Sequence, residues 1–438
     1  MKKILYTLIF SIGCSLASFG QQWTALGTQG YSAAGVQYPD LAVYNGTPYV
    51  AFKDAANAEK CTVMKYIGSS WVVVGSAGFS QGIARDQSIA IDQQNGTVYV
   101  AYSDAENGSK TTVMKFNGTS WELVGTAGFS AMASYQSLVI DNGTPYVAFT
   151  EYYTKMMKFN GTSWEYVGGT LPGSVDAAWY TKLAMYNHQP YVVYRDIFNG
   201  SKTTVVHLDG NGAWEPYGSP AFSDGDSKYQ SIDMDANGVA YVAYQDMANS
   251  GKLTVKKYVN SAWVTVGTQG FSLGLAVTPI LKLNAGIPYV VFRDESEGNK
   301  LTVMKFDGSN WVAVGGAGIT SGAAYGSKLV FDGGVAYVNY GDETVGNKAA
   351  LKKYDTGSNL GIAELNNVNL SVYPNPSNSM ITLSSNEAIE TVEIYDISGK
   401  LVQQENVNSF SIEHLEVGVY QLLITTSKGI AQSKLIKE

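Results

Sequence analysis

A short segment at residues 78–82, GFSQG, fits the G-x-S-x-G pattern that surrounds a nucleophilic serine. In that pattern a turn into a helix exposes the serine, and a histidine within hydrogen-bonding reach removes its proton. The chain has 3 histidines, and none has an evident route to Ser80. The same corner returns as GFSAM at 128–132 and GFSLG at 270–274 with no helix after it. We therefore predict no catalytic residue here and expect Ser80 to bond to its own backbone.

Carboxylates are the second group that could carry chemistry. Six aspartates end the second strand of a repeated unit, and each has a lysine six residues later. Glycoside hydrolysis needs two carboxyl groups in different environments, whereas a residue that recurs in six units is more typical of structure. We expect these aspartates to cap the following turn, where an ion pair to the lysine would add little. They are Asp54, Asp104, Asp196, Asp246, Asp294 and Asp342.

The only 3 arginines, Arg85, Arg195 and Arg293, form a third candidate. A cluster of arginines can bind a carboxylate with paired hydrogen bonds, as in sialidases. The S-x-D-x-G-x-x-W box of sialidases is missing, however, which weakens an enzymatic reading. Zinc-binding patterns such as H-E-x-x-H are also absent, and we predict neither a metal nor a cofactor.

The composition indicates which secondary-structure elements would position these residues. The 438-residue chain is 45% hydrophobic and 15% charged, with 47 glycines and 30 tyrosines, which indicates many strands and many turns. We therefore expect an all-β protein. A net charge of −8 with no basic run argues against nucleic acid or an anionic membrane surface as a partner.

A unit of 43 to 50 residues recurs along the chain, and each copy contains a tryptophan that opens a segment such as WVVVGSAGFS. The second unit divides at its turns into strands at 88–92, 97–104, 110–116 and 120–125. Four antiparallel strands repeated in tandem predict the blades of a β-propeller. The tryptophans are Trp23, Trp71, Trp121, Trp164, Trp214, Trp263 and Trp311.

The phase of the repeats predicts how the propeller ends. Trp23 begins an outer strand with no inner strands before it, and the inner strands from Lys328 to Tyr354 have no outer strand after them. We therefore predict seven blades at residues 21–357, with the N-terminal strand completing the last blade and closing the ring. The third unit, around 150–159, lacks most of one loop and should be cut back locally.

The loops between blades differ most from one unit to the next, and function usually lies on such loops. Aromatic rings beside carboxylates and arginines suit a sugar or peptide ligand, although ordinary half-buried aromatics are about equally expected. The candidate ligand-binding residues are Tyr38, Arg85, Asp86, Tyr135, Trp179, Tyr180, Arg195, Tyr229, Arg293 and Tyr325.

The first twenty residues have the charged start, apolar centre and small-residue end of a secretory signal, with cleavage predicted after Gly20. A lipoprotein signal using Cys14 is a less favoured alternative. No later stretch is apolar for long enough to cross a membrane as a helix. The mature chain would keep only Cys61, which we expect to be a small buried hydrophobe.

After a linker at 358–367, residues 368–438 carry SVYPNPSNSMITL, VEIYDISGKLV, LEVGVYQLLI and KLIKE. These blocks resemble the C-terminal sorting domain of cargo for the type IX secretion system of Bacteroidetes. The resemblance implies a small Ig-like β-sandwich that carries the protein across the outer membrane, with the secretion machinery as partner. Its motif residues are Tyr373, Pro374, Asn375, Pro376, Tyr395, Asp396, Gly399, Lys400, Gly418 and Tyr420.

Together, these features predict a secreted or surface-attached binding or adhesion module, with a polysaccharide or glycoconjugate as the favoured ligand. A glycan-active hydrolase or lyase that uses carboxylates and arginines on the same face is one alternative. A structural surface scaffold is another.

Overall fold

The computed structural model describes residues 22–169, 171, 179–356, 370–385, 388–396, 401–426 and 429–438. The chain divides into two compact units between Asp355 and Thr356. The predicted signal peptide at 1–20 and the predicted linker at 358–367 lie outside the described residues.

The first unit contains seven four-stranded antiparallel sheets, as the repeats predict. The first four blades are β2 Val36–Tyr44, β3 Thr47–Asp54, β4 Lys60–Ile67 and β5 Ser70–Val73; β6 Ala84–Ile91, β7 Val98–Asp104, β8 Lys110–Phe116 and β9 Trp121–Leu123; β10 Ser134–Asp141, β11 Thr144–Thr150, β12 Thr154–Phe159 and β13 Trp164–Tyr166; β14 Trp179–Tyr186, β15 Gln189–Asp196, β16 Lys202–Leu208 and β17 Trp214–Pro216.

The last three blades are β18 Ser227–Met234, β19 Ala240–Asp246, β20 Lys252–Val259 and β21 Ala262–Thr265; β22 Ala276–Asn284, β23 Ile287–Asp294, β24 Lys300–Phe306 and β25 Trp311–Ala313; β26 Ala324–Asp332, β27 Val335–Asp342, β28 Lys348–Asp355 and β1 Thr24–Ala25. The N-terminal strand β1 is the outer strand of the seventh blade, since Thr24 pairs with Lys353 and Ala25 with Lys352. The first strand of each blade also contacts the first strand of the next, and β26 contacts β2.

The second strand of a blade lies deepest. In β7 all seven residues are buried, so VYVAYSD lacks the alternation of apolar and polar residues that a half-exposed strand shows. A two-residue turn joins β2 to β3, and Asn45 and Gly46 there both adopt positive φ values of 48° and 72°. Such turns match the right-handed twist of the paired strands, which is why Asn-Gly recurs at this point of the unit.

Each repeat tryptophan ties its blade to the preceding one. The indole Nε1 of Trp121 donates to the carbonyl oxygen of Val74 at 2.8 Å, and that of Trp71 donates to Leu26 at 3.0 Å. The same bond is present in all seven copies. In most copies the tryptophan ring also stacks on an aromatic ring of the corner segment, as Phe79 does on Trp121 with ring centroids 4.1 Å apart.

The corner that contains Ser80 is held in place by hydrogen bonds of the Ser80 side chain. The Ser80 hydroxyl donates to the carbonyl oxygen of Gly82 at 2.7 Å and accepts from the backbone N–H of Cys61 at 2.9 Å. Its side chain is buried, and no helix follows the corner. The predicted bond to its own backbone is present, and the bond to Cys61 also anchors the corner to the third strand. Cys61 itself is buried and free of any disulfide.

The repeated aspartates begin the turns after the second strands. Asp54 accepts from the backbone N–H of Ala56 at 3.0 Å and from the Thr62 hydroxyl at 2.8 Å. The other five aspartates accept an equivalent backbone bond. Strand register places Asp54 opposite Lys60, yet within the described ranges no ion pair joins any of these aspartates to its lysine. The turn is therefore held by hydrogen bonds, without the ion pair considered above.

The second unit is a two-layered β-structure. One sheet contains β29 Leu370–Tyr373, β30 Met380–Ser385 and β33 Ser409–Ser411; the other contains β31 Ile389–Tyr395, β32 Leu401–Glu405, β34 Gly418–Thr426 and β35 Gly429–Lys437. Residues of both sheets share one core, in which Ile381 and Phe410 meet Ile394 and Leu422. Alternate residues of β34 are buried, as expected for a sheet with one covered face.

Candidate functional site

One cavity is lined by the first strand of every blade and has a volume of about 270 Å³. The wall is built from three consecutive positions of the first strand, and four of the seven blades contribute all three. In the first blade they are Tyr38, Pro39 and Asp40, and in the fourth blade Tyr180 and Lys182 line the wall from the first and third positions. We call this space the central cavity, and we number its three wall positions in chain order.

Each first strand carries a β-bulge at the wall, because its pairing with the second strand shifts register there. The residue at the first wall position has a left-handed backbone in all seven blades, with φ between 50° and 63°. For a bulky residue this conformation costs about 1–2 kcal/mol. The seven residues are Tyr38, Asp86, Tyr135, Tyr180, Tyr229, Thr278 and Gly326.

Three tyrosines at the first wall position contact one another. The ring centroids of Tyr135 and Tyr180 are 5.5 Å apart, and those of Tyr180 and Tyr229 are 4.5 Å apart, with tilted or edge-on planes. Aromatic rings prefer such arrangements over face-to-face stacking. Burial, followed by the proximity of Tyr229 and Tyr135, raises the pKa of Tyr180. The three rings therefore form a continuous aromatic wall with a hydroxyl group on each ring.

Two carboxylates lie in the central cavity and differ in surroundings. Asp40 is buried, accepts from the N–H of Ile89 at 2.9 Å and forms an ion pair with Lys328 at 3.0 Å. Asp86 accepts from the N–H of Tyr135 at 3.2 Å. Burial raises the pKa of Asp86, and this bond opposes that effect only in part. Asp86 is therefore the carboxylate with capacity left for a ligand.

A second cavity of about 430 Å³ is lined further along the same first strands, by residues such as Leu41, Ile89 and Leu183. Lys182 and Lys328 line both cavities, as do Ser88 and Ile280. The third wall position is thus the boundary between the two spaces.

The structure places five of the ten candidate residues together at the first wall position and the others elsewhere. Tyr38, Asp86, Tyr135, Tyr180 and Tyr229 all line the central cavity. They lie within the first strands, so their assignment to inter-blade loops was wrong: the bulge at these positions lets the strands begin several residues earlier than the sequence pattern suggested. For example, β6 begins at Ala84, whereas the sequence pattern placed this strand at 88–92.

The arginines do not converge on the central cavity. Arg195 forms an ion pair with Asp226 at 2.8 Å and lies over the ring of Trp179. Arg293 donates to Asn299 at 3.0 Å. Arg85 precedes the bulge on β6 and does not line the cavity.

Tyr325 is also absent from the central cavity. Its hydroxyl donates to the carbonyl oxygen of Val36, which joins the seventh blade to the first. Trp179 lies beside Tyr180, with ring centroids 6.2 Å apart, but is not part of the cavity wall.

Sequence reasoning missed the lysines and glutamines of the wall. Lys182 and Lys328 stand at the third wall position, and Gln87, Gln136 and Gln230 at the second. No local signal marks Lys182, because the bulge at the first wall position interrupts the two-residue alternation of the strand. The sequence pattern also places the segment that ends at Lys182 in an inter-blade loop, where no strand face is defined.

In the described part of the chain, no group of three or more histidine, cysteine, aspartate or glutamate side chains could hold a metal ion. Over the same residues, no helix has the length and apolar character of a membrane span.

In the second unit, the motif residue Asn375 forms hydrogen bonds to the last strand, β35. Asn375 donates to the carbonyl oxygen of Lys434 at 2.6 Å and accepts from the N–H of Ile436 at 2.9 Å. Tyr420 is buried, and its hydroxyl donates to the carbonyl oxygen of Glu416 at 2.8 Å. Tyr373, Pro374 and Pro376 flank Asn375, Tyr395 and Asp396 end β31 or follow it, and Gly418 begins β34. Gly399 and Lys400 lie outside the described residues.

The fold and the sequence define a protein with a seven-bladed propeller and an export domain. Residues 371–438 match the family described as secretion system C-terminal sorting domain, so the chain ends in a domain of that family. This domain marks the protein for export across the outer membrane, to the cell surface or the medium. Among curated proteins, none matches this chain.

Several solved structures are similar in fold. The BP39L lectin from Burkholderia pseudomallei aligns with a TM-score of 0.51 at 15% identity, covering 77% of this chain and 96% of the lectin. The polysaccharide lyase Uly1 gives 0.49 at 11% identity, covering 74% of this chain and 91% of its own. A lectin of Aleuria aurantia gives 0.44 at 14% identity, with 68% and 99% covered.

Proposed function

We propose that the propeller binds a saccharide in its central cavity and that the sorting domain delivers it to the cell surface or the medium. The observation that carries the proposal is the convergence of Tyr38, Tyr135, Tyr180 and Tyr229, with Asp86, at one position of five adjacent blades. Sugar rings have apolar faces that pack on aromatic rings and hydroxyl edges that need hydrogen-bond partners. A tyrosine wall with a carboxylate in it offers both.

Backbone strain supports the same proposal. Six residues other than glycine keep a left-handed backbone at the first wall position. Strain of this kind persists where the surrounding fold imposes it, and it clusters at ligand-binding sites. A propeller that served only as a scaffold would gain stability from glycine at these positions, because glycine adopts positive φ without steric cost.

The export route is the second part of the proposal. A secretory signal at residues 1–20 would take the chain across the inner membrane, and the type IX machinery would recognise the sorting domain and carry it through the outer membrane. Delivery to the cell surface or the medium would fit an adhesion or capture role.

The test is binding of the full chain to a glycan array, followed by titration of the hits against cavity variants. We expect Tyr180→Ala and Tyr229→Ala to weaken binding by about tenfold or more, as for central aromatic contacts in other binding sites. Tyr166→Ala is the matched control, since Tyr166 is an exposed tyrosine outside the cavity. Absence of binding to any glycan, or equal losses in all three variants, would contradict the proposal.

A glycan-active hydrolase or lyase is the second candidate, and the two carboxylates of differing environment favour keeping it. The bonds already made by Asp40 weigh against it, because a catalytic carboxylate must be free to meet substrate. Incubating the full chain with polysaccharides and measuring released sugars separates the two functions. If the wild-type protein releases sugars and the Asp86→Asn variant does not, the proposed binding function would be replaced by a catalytic one.

A further inference from the structure

In four blades the side chain at the third wall position accepts a hydrogen bond from the backbone of the next blade. The Asp40 carboxylate accepts from Ile89, and Ser88, Ser137 and Ser231 accept the corresponding backbone N–H of the next blade, each at 3.0 Å. These hydrogen bonds connect the first strands of neighbouring blades. Their hydrogen-bonding capacity is therefore largely used within the protein.

Lysine occupies the same position in two blades, and the two lysines differ. The Lys328 ammonium pairs with Asp40 at 3.0 Å. The half-buried side chain of Lys182 has neither a hydrogen bond nor an ion pair with any residue that the structure describes, although it lines both cavities. An ammonium group has three donors, and a sheltered one without a partner is unfavourable.

The charges around Lys182 leave its ammonium uncompensated. Burial lowers the pKa of Lys182 to about 8, and repulsion from Lys328 acts in the same direction. Asp40 and Asp86 oppose this shift, but Asp40 is committed to Lys328, and Asp86 is not within ion-pair distance. A negative group placed in the central cavity would remove the imbalance.

We infer that the central cavity selects acidic saccharides, with a carboxylate or sulfate group of the sugar bound by the ammonium of Lys182. The inference rests on the proposed function, since the tyrosine wall binds the sugar ring and Lys182 binds the charge attached to it. Lys182 and Tyr180 both line the central cavity from the same strand, so one acidic sugar unit can contact both. In this arrangement Lys182 determines specificity, and the tyrosines supply most of the contact area.

The experiment measures affinities of the full chain by titration calorimetry at physiological salt and pH 7. Polygalacturonate is compared with its fully methyl-esterified form, and dextran sulfate with dextran, so each pair differs only in charge. We expect the acidic member of one pair to bind about tenfold or more tightly than its neutral partner, and the pair that shows this identifies carboxylate or sulfate. Lys182→Gln should abolish that preference, while Lys305→Gln, on a third strand outside the cavity, should keep it.

The outcomes separate this inference from the proposed function. Equal affinity for acidic and neutral polymers, with Tyr180→Ala still weakening binding, overturns the role of Lys182 and leaves saccharide binding intact. Binding to none of the polymers, and to no glycan on the array, removes both. If Lys182→Gln fails to fold, the pH dependence of the wild-type protein tests the inference instead. Its preference for the acidic polymer should fall as pH rises from 7 to 9, and a constant preference contradicts the inference.

Discussion

The indole Nε1 of Trp23 donates to the carbonyl oxygen of Val314 at 2.7 Å, across 291 positions of the chain. The bond is equivalent to the one between Trp121 and Val74 in the second blade, at 2.8 Å. It identifies Trp23 as the tryptophan of the seventh blade, in line with the pairing of Thr24 and Lys353.

Replacement of Trp23 by phenylalanine should therefore cost as much stability as Trp121→Phe. Each change removes one hydrogen bond, buried for Trp23 and partly buried for Trp121, and leaves a carbonyl with fewer partners. The expected loss is about 1–2 kcal/mol in the free energy of unfolding. Chemical denaturation of the two variants beside the wild type measures it. A substantial loss for Trp121→Phe with none for Trp23→Phe would mean that the N-terminal strand contributes nothing to the seventh blade.

Ser80→Ala should lower stability and leave saccharide binding unchanged. The substitution strands the N–H of Cys61 in a buried position, which costs about 1–3 kcal/mol. Thermal unfolding measures the first effect and glycan titration the second. Loss of binding in a variant that remains folded would reopen a functional role for the GFSQG segment.

Gly125→Ala should destabilise the protein more than Gly46→Ala. Both glycines have a φ of 72°, so the backbone strain of alanine is the same, about 1 kcal/mol. A Cβ on Gly125 would lie 2.9 Å from Phe159 and 3.2 Å from Trp164, whereas one on Gly46 would have no neighbour within 4 Å. The difference in unfolding free energy, expected at about 1–3 kcal/mol, isolates the steric contact with Phe159 and Trp164. Equal losses would show that the contact is easily relieved.

Lys182→Met should stabilise the protein near pH 7, and its advantage should shrink in alkali. The lysine pKa of about 8 in the folded state is below its value of about 10.4 in the unfolded chain. Between these values the unfolded state holds the extra proton, so wild-type stability rises with pH until the penalty is gone. At pH 7 the variant should gain about 1–3 kcal/mol, allowing for partial exposure.

Denaturant titrations of both proteins at pH 7 and pH 10 check this prediction. Asp40, Asp86 and Lys328 face Lys182, and they are the same in both proteins, so their own titration largely cancels in the comparison. A difference that does not change with pH would show that the Lys182 ammonium is well solvated.

Deletion of residues 368–438 should retain the protein in the periplasm, because the sorting domain would be lost while the predicted signal peptide remains. Cell fractionation and surface labelling with an antibody to the propeller measure the distribution. Asn375→Ala is a second variant that should lower surface display less than the deletion does. It removes only two hydrogen bonds between the first segment and β35. Normal surface display of the deletion variant would contradict the export route.

Most of the fold could be predicted from sequence, because each blade is a local unit whose turns and tryptophan recur. The phase of those tryptophans even assigned Trp23 to the last blade. The site was predicted less well, because the bulge is a tertiary feature: its left-handed residue at Tyr38, Tyr135 or Tyr180 has no mark in the local sequence. Arg195 and Arg293 were attractive by residue type, yet Asp226 and Asn299 already bind them. Only the fold reveals those bonds.

The seven bulges have one further consequence, which concerns how such a protein can change. The backbone at the first wall position is the same in every blade, but it carries tyrosine, aspartate, threonine or glycine. The tryptophans, corner serines and turn aspartates that hold the blades together lie elsewhere. Under the proposed function, a substitution at one bulge would change a residue of the cavity wall without removing any of these contacts, so the ligand preference could change one blade at a time.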